Sequence, residues 1–183
     1  MKGWLNLLVG LRIFSPISFS TAHSQAYGQA ADKPIASRTA DVDGVRLDYL
    51  TVGHGTPLIL LHGYAETSLM WKPIMPAMGE RFTVIAPDLP GIGDSEIPRD
   101  GLDMKSAAVR IHDLAKSLGV QKAEVVGHDI GLMVAYAYAA QFPTEVTKLV
   151  LMDAFLPGGL VGSRFTIIRT FGISASMVRR RRL

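Results

Sequence analysis

The sequence contains no cysteine among its 183 residues. Disulfides and thiolate metal sites are therefore excluded, and no histidine spacing typical of a zinc site is present. We expect neither a metal nor an organic cofactor. No apolar run reaches the roughly 20 residues that cross a bilayer, so no stable membrane span is predicted. With 48% hydrophobic and 19% charged residues, the composition is that of a globular chain long enough to bury one core.

Acidic residues are also missing from the end of the chain, where residues 160–183 form an atypical basic tail. The tail carries six arginines, namely Arg164, Arg169, Arg179, Arg180, Arg181 and Arg182. The rest of the chain has 13 basic against 16 acidic residues, so the net charge of +3 originates in the tail. No nucleic-acid partner is predicted, because the basic residues are confined to one segment. An alternative interpretation takes Phe165 to Arg182 as a segment that binds a membrane surface.

The first 30 residues are typical of a secretory signal peptide. Lys2 precedes the apolar stretch Trp4 to Leu11, and small residues follow at Ala22 and Ser24. Export to the periplasm or medium is the expectation. A terminal extension without structure, or a misplaced start codon in a cytoplasmic protein, is the alternative, since Arg12 interrupts the apolar region.

Residues 40–157 carry strand and helix patterns in alternation. Val45 to Val52 alternates apolar and polar residues, which predicts an antiparallel strand with one wet face. Continuous apolar runs predict buried parallel strands at Leu58–Leu61, Thr83–Ala86, Ala123–Val126 and Leu149–Met152. Helical spacing covers Met104 to Leu118, and alanine-rich sequence covers Ile130 to Phe142. The predicted fold is α/β, with a doubly wound, mostly parallel sheet.

The strongest motif lies where a predicted strand meets a predicted helix, as Gly127-His128-Asp129-Ile130-Gly131. Gly-x-nucleophile-x-Gly at such a junction is a nucleophile elbow, a sharp turn that lifts one side chain above the sheet. Asp129 would be the nucleophile, and a carboxylate there suits attack on an sp3 carbon with formation of an alkyl ester. The alternative is that Asp129 only caps the helix.

Two further motifs accompany the elbow: His62-Gly63-Tyr64 after a buried strand, and the loop Asp88 to Ser95 with sequence DLPGIGDS. The His-Gly turn, the Asp88 to Ser95 loop and the elbow follow one another in the order typical of the α/β-hydrolase superfamily. The segment from Gly44 to Pro157 therefore resembles that superfamily, in its epoxide hydrolase and haloalkane dehalogenase branch. Many members carry Trp after the nucleophile, whereas this chain has Ile130. That difference favours a resemblance to epoxide hydrolases over dehalogenases.

The resemblance implies roles for several residues. Asp129 would be the nucleophile, and the backbone N–H groups of Tyr64 and Ile130 would form an oxyanion hole. His62, Gly63, Gly127, His128 and Gly131 would be motif residues with structural roles. The implied substrate is a small apolar molecule with an electrophilic sp3 carbon.

The resemblance also implies an acid and a histidine downstream of the nucleophile. All five histidines, at 23, 54, 62, 112 and 128, precede Asp129, and Asp153 is the one candidate for the acid. We therefore expect an incomplete hydrolase, without the cap domain and last strands, that alkylates Asp129 at most once. Hydrolytic dehalogenation, or a non-catalytic module that binds small molecules, is the alternative.

Overall fold

The structure, a computed structural model, describes residues 34–153 and the backbone of 165–168. The predicted signal peptide and most of the basic tail lie outside the described residues. The elements follow the chain in this order: strands β1 (Ala36–Val42), β2 (Val45–Val52) and β3 (Thr56–Leu61), a 3-10 helix (Ser68–Trp71), helix α1 (Met75–Met78), β4 (Phe82–Pro87), α2 (Met104–Ser117), β5 (Ala123–His128), α3 (Ile130–Gln141), β6 (Val146–Met152) and β7 (Phe165–Ile168).

The strands form one sheet in the order β1-β2-β4-β3-β5-β6-β7. Its centre is parallel, because β3 pairs with β4 and β5, and β5 pairs with β6. The outer pairs, β1 with β2, β2 with β4 and β6 with β7, are antiparallel. The predicted α/β class with a parallel centre is confirmed, and so is the antiparallel strand from Val45 to Val52.

Alternation along the strands divides the core between the two faces of the sheet. In β3, Ile59 and Leu61 face a cluster that includes Ile111 of α2 and Leu132 of α3. Leu58 and Leu60 face the opposite side, where Trp71 and Met75 cover them. Both faces of β3 are therefore buried, which explains its continuous apolar sequence.

The carboxyl ends of β3, β4 and β5 lie at one edge of the sheet, because these strands are parallel. The three sequence motifs each follow one of these strands, so the fold gathers them at this edge. In doubly wound sheets, ligands bind in this position.

Candidate functional site

Asp129 occupies a strained turn between β5 and α3. Its backbone angles are φ 50° and ψ −118°, a region that non-glycine residues rarely adopt. Gly127 and Gly131 allow this turn, because a Cβ on Gly127 would collide with the Gly131 carbonyl and one on Gly131 with the His62 carbonyl. The Asp129 N–H donates to the Met152 carbonyl at 3.0 Å, which ties the turn to the end of β6. This geometry is that of the predicted elbow.

The Asp129 side chain points to the His-Gly turn and not to its own helix. Its Oδ2 accepts a hydrogen bond from the Tyr64 backbone N–H at 2.9 Å. It makes no capping hydrogen bond to α3. The alternative interpretation, in which Asp129 only caps the helix, therefore has no hydrogen bond to support it. Among the described residues, Asp129 Oδ1 has no hydrogen-bond partner. One carboxylate oxygen is therefore held by an amide, and the other is not held by any described residue.

The two predicted oxyanion donors differ in how the structure places them. Tyr64 already directs its N–H at Asp129. Ile130 is the first residue of α3, where amide N–H groups have no acceptor within the helix. Of the two amides, the Tyr64 N–H is the one that donates to the carboxylate in the described part of the chain, and the role of both in catalysis stays a prediction.

His62 is fully buried and uses both ring nitrogens. Its Nε2 accepts from the Leu89 N–H at 2.9 Å, so Nδ1 carries the proton and donates to the Gly63 carbonyl at 3.0 Å. Burial lowers the pKa of His62 below its ordinary value of 6.5. A neutral histidine with both nitrogens occupied fits the predicted structural role and leaves no free atom for base catalysis.

The Asp88 to Ser95 loop is held by the buried carboxylate of Asp88. Its Oδ1 accepts from the Ser68 N–H at 2.6 Å, and its Oδ2 accepts from the Asp94 N–H at 3.0 Å. Ser95 Oγ–H donates to the Asp88 carbonyl at 2.8 Å. Asp88 thus anchors the loop to the segment after the His-Gly turn, which matches a scaffold role for this motif.

His128 and Asp153, both singled out in the sequence, lie side by side at the same edge. His128 Nε2 is 3.6 Å from Asp153 Oδ2, and Asp153 follows β6 with a positive φ of 58°. His128 Nδ1 lies 3.1 Å from Glu66 Oε2. Asp153 therefore faces the histidine of the elbow itself.

Glu66 is the residue at this edge that the sequence analysis did not identify. It accepts from the Gly63 N–H at 2.9 Å as well as contacting His128. Its signal in the sequence was its position, an acidic residue three places after a glycine that follows a buried parallel strand. The side chain is about one-third exposed.

The surroundings of Asp129 are open in the described part of the chain. Tyr64 is 75% exposed. A cavity of about 480 Å³ lies next to the Asp88 to Ser95 loop, but Asp129, Tyr64 and Ile130 do not line it. Within residues 34–153, no cluster of three His, Asp or Glu side chains is placed to bind a metal ion. No helix in this range is long and apolar enough to cross a membrane.

Comparisons with known proteins show the fold family. Residues 56–169 match the family model described as alpha/beta hydrolase fold. A soluble epoxide hydrolase from Corynebacterium sp. (strain C12) is 42% identical over 124 residues, which are 68% of this chain and 43% of that protein. A fluoroacetate dehalogenase from Burkholderia sp. is 31% identical over 121 residues, 63% of this chain and 40% of that protein.

Solved structures give the same result. The epoxide hydrolase CorEH, without ligand, superposes with a TM-score of 0.64 at 42% identity, covering 66% of this chain and 42% of that one. The chain spans less than half the length of the relatives it matches. Because the family model covers more than half of the sequence, the chain belongs to the α/β-hydrolase fold family.

Proposed function

We propose that this chain carries the nucleophilic half of a hydrolase that acts on epoxides, with Asp129 as the nucleophile. The observation that carries the proposal is the state of the Asp129 carboxylate, with Oδ2 held by the Tyr64 N–H and Oδ1 without a partner among the described residues. The similarity to the Corynebacterium soluble epoxide hydrolase supports the substrate class.

In the first step, Asp129 Oδ1 attacks an epoxide carbon and forms a C–O ester bond, while the ring C–O bond breaks. The ring oxygen stays on the neighbouring carbon as an alkoxide and takes a proton from solvent. Oδ2 becomes the carbonyl oxygen of the ester, still facing the Tyr64 N–H. The amide thus holds the nucleophile before attack and the ester afterwards.

In the second step, water attacks the ester carbonyl carbon, and the negative charge moves onto Oδ2, the oxygen that accepts from the Tyr64 N–H. A donor in such a position is worth about 2.7–4 kcal/mol in the barrier. The attacking water needs a base. Among the described histidines at the site, His62 has no free nitrogen, and His128 lies against Glu66 and Asp153. Both rings are already engaged, so we infer that the alkyl ester on Asp129 accumulates.

The test is intact-mass spectrometry after incubation of the chain with a small apolar epoxide such as styrene oxide. We expect one added epoxide per chain, located on Asp129 by peptide mapping, that persists after the reagent is removed. Asp129→Asn should abolish the modification. Asp43→Asn is the matched control, because Asp43 also has a positive φ, of 52°, and lies in the turn between β1 and β2.

The proposal fails if the parent chain stays unmodified, or if Asp129→Asn is modified to the same extent. Reversible binding of the epoxide without a mass change would favour a binding module that uses this scaffold. Modification followed by release of diol over many turnovers would contradict the inferred accumulation of the ester.

Hydrolytic dehalogenation is the second candidate, and the similarity to the fluoroacetate dehalogenase favours it. The same Oδ1 would displace a halide from an sp3 carbon. Ile130 counts against it, since isoleucine has no ring to help receive a halide, as the Trp at this position does in many members of the branch that the sequence resembles. Release of one fluoride per chain from fluoroacetate, with no modification by epoxide, would establish this alternative.

A further inference from the structure

Three side chains meet around the His-Gly turn without a role in the proposed reaction. Glu66 Oε2 accepts from the Gly63 N–H at 2.9 Å and from His128 Nδ1–H at 3.1 Å. His128 Nε2 lies 3.6 Å from Asp153 Oδ2. A single carboxylate oxygen thereby links the turn after β3 to the residue next to the nucleophile.

The turn between these groups has almost no free space. A Cβ on Gly63 would lie 2.7 Å from Glu66 Oε2, 2.8 Å from His128 Nδ1 and 2.9 Å from Asp129 Cβ. Gly63 is therefore enclosed by the two partners of the pair and by the nucleophile. No side chain larger than that of glycine fits at this position.

The next amide along the chain is the Tyr64 N–H, which donates to Asp129 Oδ2. Its direction depends on the peptide plane between Gly63 and Tyr64. Glu66 holds Gly63 through two hydrogen bonds: its Oε2 accepts from the Gly63 N–H, and its own N–H donates to the Gly63 carbonyl at 3.3 Å. The same carbonyl accepts from His62 Nδ1–H. His128 in turn fixes the side chain of Glu66.

We propose that Glu66 and His128 are positioning residues, a hydrogen-bonded pair that directs the Tyr64 amide at the Asp129 carboxylate. The part that concerns reactivity rests on the proposed function, whereas the geometric part does not. Asp153 Oδ2 lies 3.6 Å from Nε2, on the far side of the imidazole. Neither Glu66 nor His128 touches the reacting atoms in this scheme.

The first experiment measures hydrogen exchange at the Tyr64 amide by NMR in the full chain. His128→Leu removes the donor to Glu66, and we expect Tyr64 exchange to become roughly three- to tenfold faster, the loss typical of one hydrogen bond. His128→Asn should restore slow exchange, because its side-chain N–H₂ lies near the Nδ1 position. His54→Leu, in an exposed turn, is the matched control and should leave Tyr64 unchanged.

A second variant keeps the test valid if His128→Leu does not fold. Glu66→Met preserves the length of the side chain but removes its acceptor, and should accelerate Tyr64 exchange to the same degree. In the double variant, the two effects should not add, since each change breaks the same pair. Unchanged Tyr64 exchange in folded His128→Leu or Glu66→Met, or fully additive effects, would overturn the proposal.

The second experiment measures the rate of Asp129 alkylation in the same variants. We expect His128→Leu and Glu66→Met to be slower by about tenfold, and His128→Asn to be close to the parent. If the parent is not alkylated at all, the proposed function fails, and the exchange data alone decide the role of the pair. If alkylation occurs, but neither the hydrogen exchange of Tyr64 nor the rate of Asp129 alkylation changes in either variant, only the positioning role fails.

Discussion

His62 illustrates how burial and two hydrogen bonds fix the protonation state of one residue. The ring is fully buried, and the Leu89 N–H donates to Nε2, the nitrogen to which a second proton would bind. Burial therefore lowers the pKa of His62. In the unfolded chain, the same residue titrates near its ordinary value of 6.5.

This difference predicts a pH dependence of the free energy of unfolding. Because the folded pKa is the lower one, the unfolded chain binds the proton first, and stability is full above pH 6.5 and falls as the pH drops below it. The slope attributable to one residue is at most about 1.4 kcal/mol per pH unit. Urea unfolding between pH 7.5 and 5.5 measures it.

The control variants separate His62 from the other histidines. His62→Gln should flatten the slope between pH 6.5 and 5.5, whereas His54→Gln, at an exposed position, should leave it unchanged. An NMR titration in which the His62 ring gains a proton near pH 6.5 in the folded chain would contradict the prediction.

At the scale of the element, a polar cluster joins α2 to the segment after α3. The His112 ring stacks on Phe142, with centroids 3.6 Å apart and planes 8° from parallel. His112 Nε2 lies 3.1 Å from Glu145 Oε2, and Lys116 Nζ lies 2.7 Å from the same oxygen. Glu145 thus connects two residues of α2 to the start of β6.

Glu145→Gln tests this connection. The hydrogen bond from Lys116 lowers the pKa of Glu145, so the contribution to stability is present above its ordinary value of 4.5 and is lost as the pH falls below it. Since the pair is partly exposed, we expect a loss of only about 0.5 kcal/mol at pH 7. Glu80→Gln, at an exposed position, is the control.

Urea unfolding of the two variants at pH 7 and pH 3.5 measures the difference. The gap between Glu145→Gln and the parent should be smaller at pH 3.5, below the ordinary pKa of 4.5, because the unfolded chain binds the proton first. A gap of equal size at both values would show that charge is not the cause.

The elements that sequence patterns predicted are those with a clear apolar run or period, buried on one face or on both. The apolar run Leu58–Leu61 lies within β3, and Met104–Leu118 differs from α2 by one residue. β1 was missed, because Ala36–Val42 is largely exposed and carries a polar sequence, ASRTADV. The 3-10 helix and α1 have four residues each, too few for a helical period to appear.

At the site, sequence patterns predicted residues whose neighbours along the chain define a motif. Asp129 and Tyr64 were found this way, and the structure brings them to 2.9 Å across 65 positions. Glu66 was not found, because its function depends on His128, 62 positions away. Such a contact is decided by the pairing of β3 with β5 and has no local signature.

At the scale of the whole molecule, the turn that carries Asp129 follows β5, with β6 and β7 between β5 and one edge of the described sheet. β5, which carries the elbow, is followed by β6 and then by β7. β6 supports the elbow directly, through the Met152 carbonyl that accepts from Asp129 N–H. The outer edge of β6 pairs with β7, in the register Leu149↔Ile168 to Met152↔Phe165.

This pairing predicts that β7 protects the molecule from association, because an unpaired strand edge is a template for another chain. Ile167→Pro introduces a residue that cannot donate in the ladder opposite Val150. We expect dimers or larger species to appear in light scattering at concentrations where the parent is monodisperse. Since β6 also holds the elbow, alkylation of Asp129 should slow in the same variant.

A proline elsewhere in the basic tail distinguishes pairing from a general effect of the substitution. Ser176→Pro lies outside the strand and keeps all six arginines, so it should match the parent in scattering and in alkylation. If both proline variants associate equally, a proline in the tail causes association wherever it stands, and the pairing of β7 with β6 is not the reason. If neither associates, the prediction that β7 protects the edge of β6 is wrong.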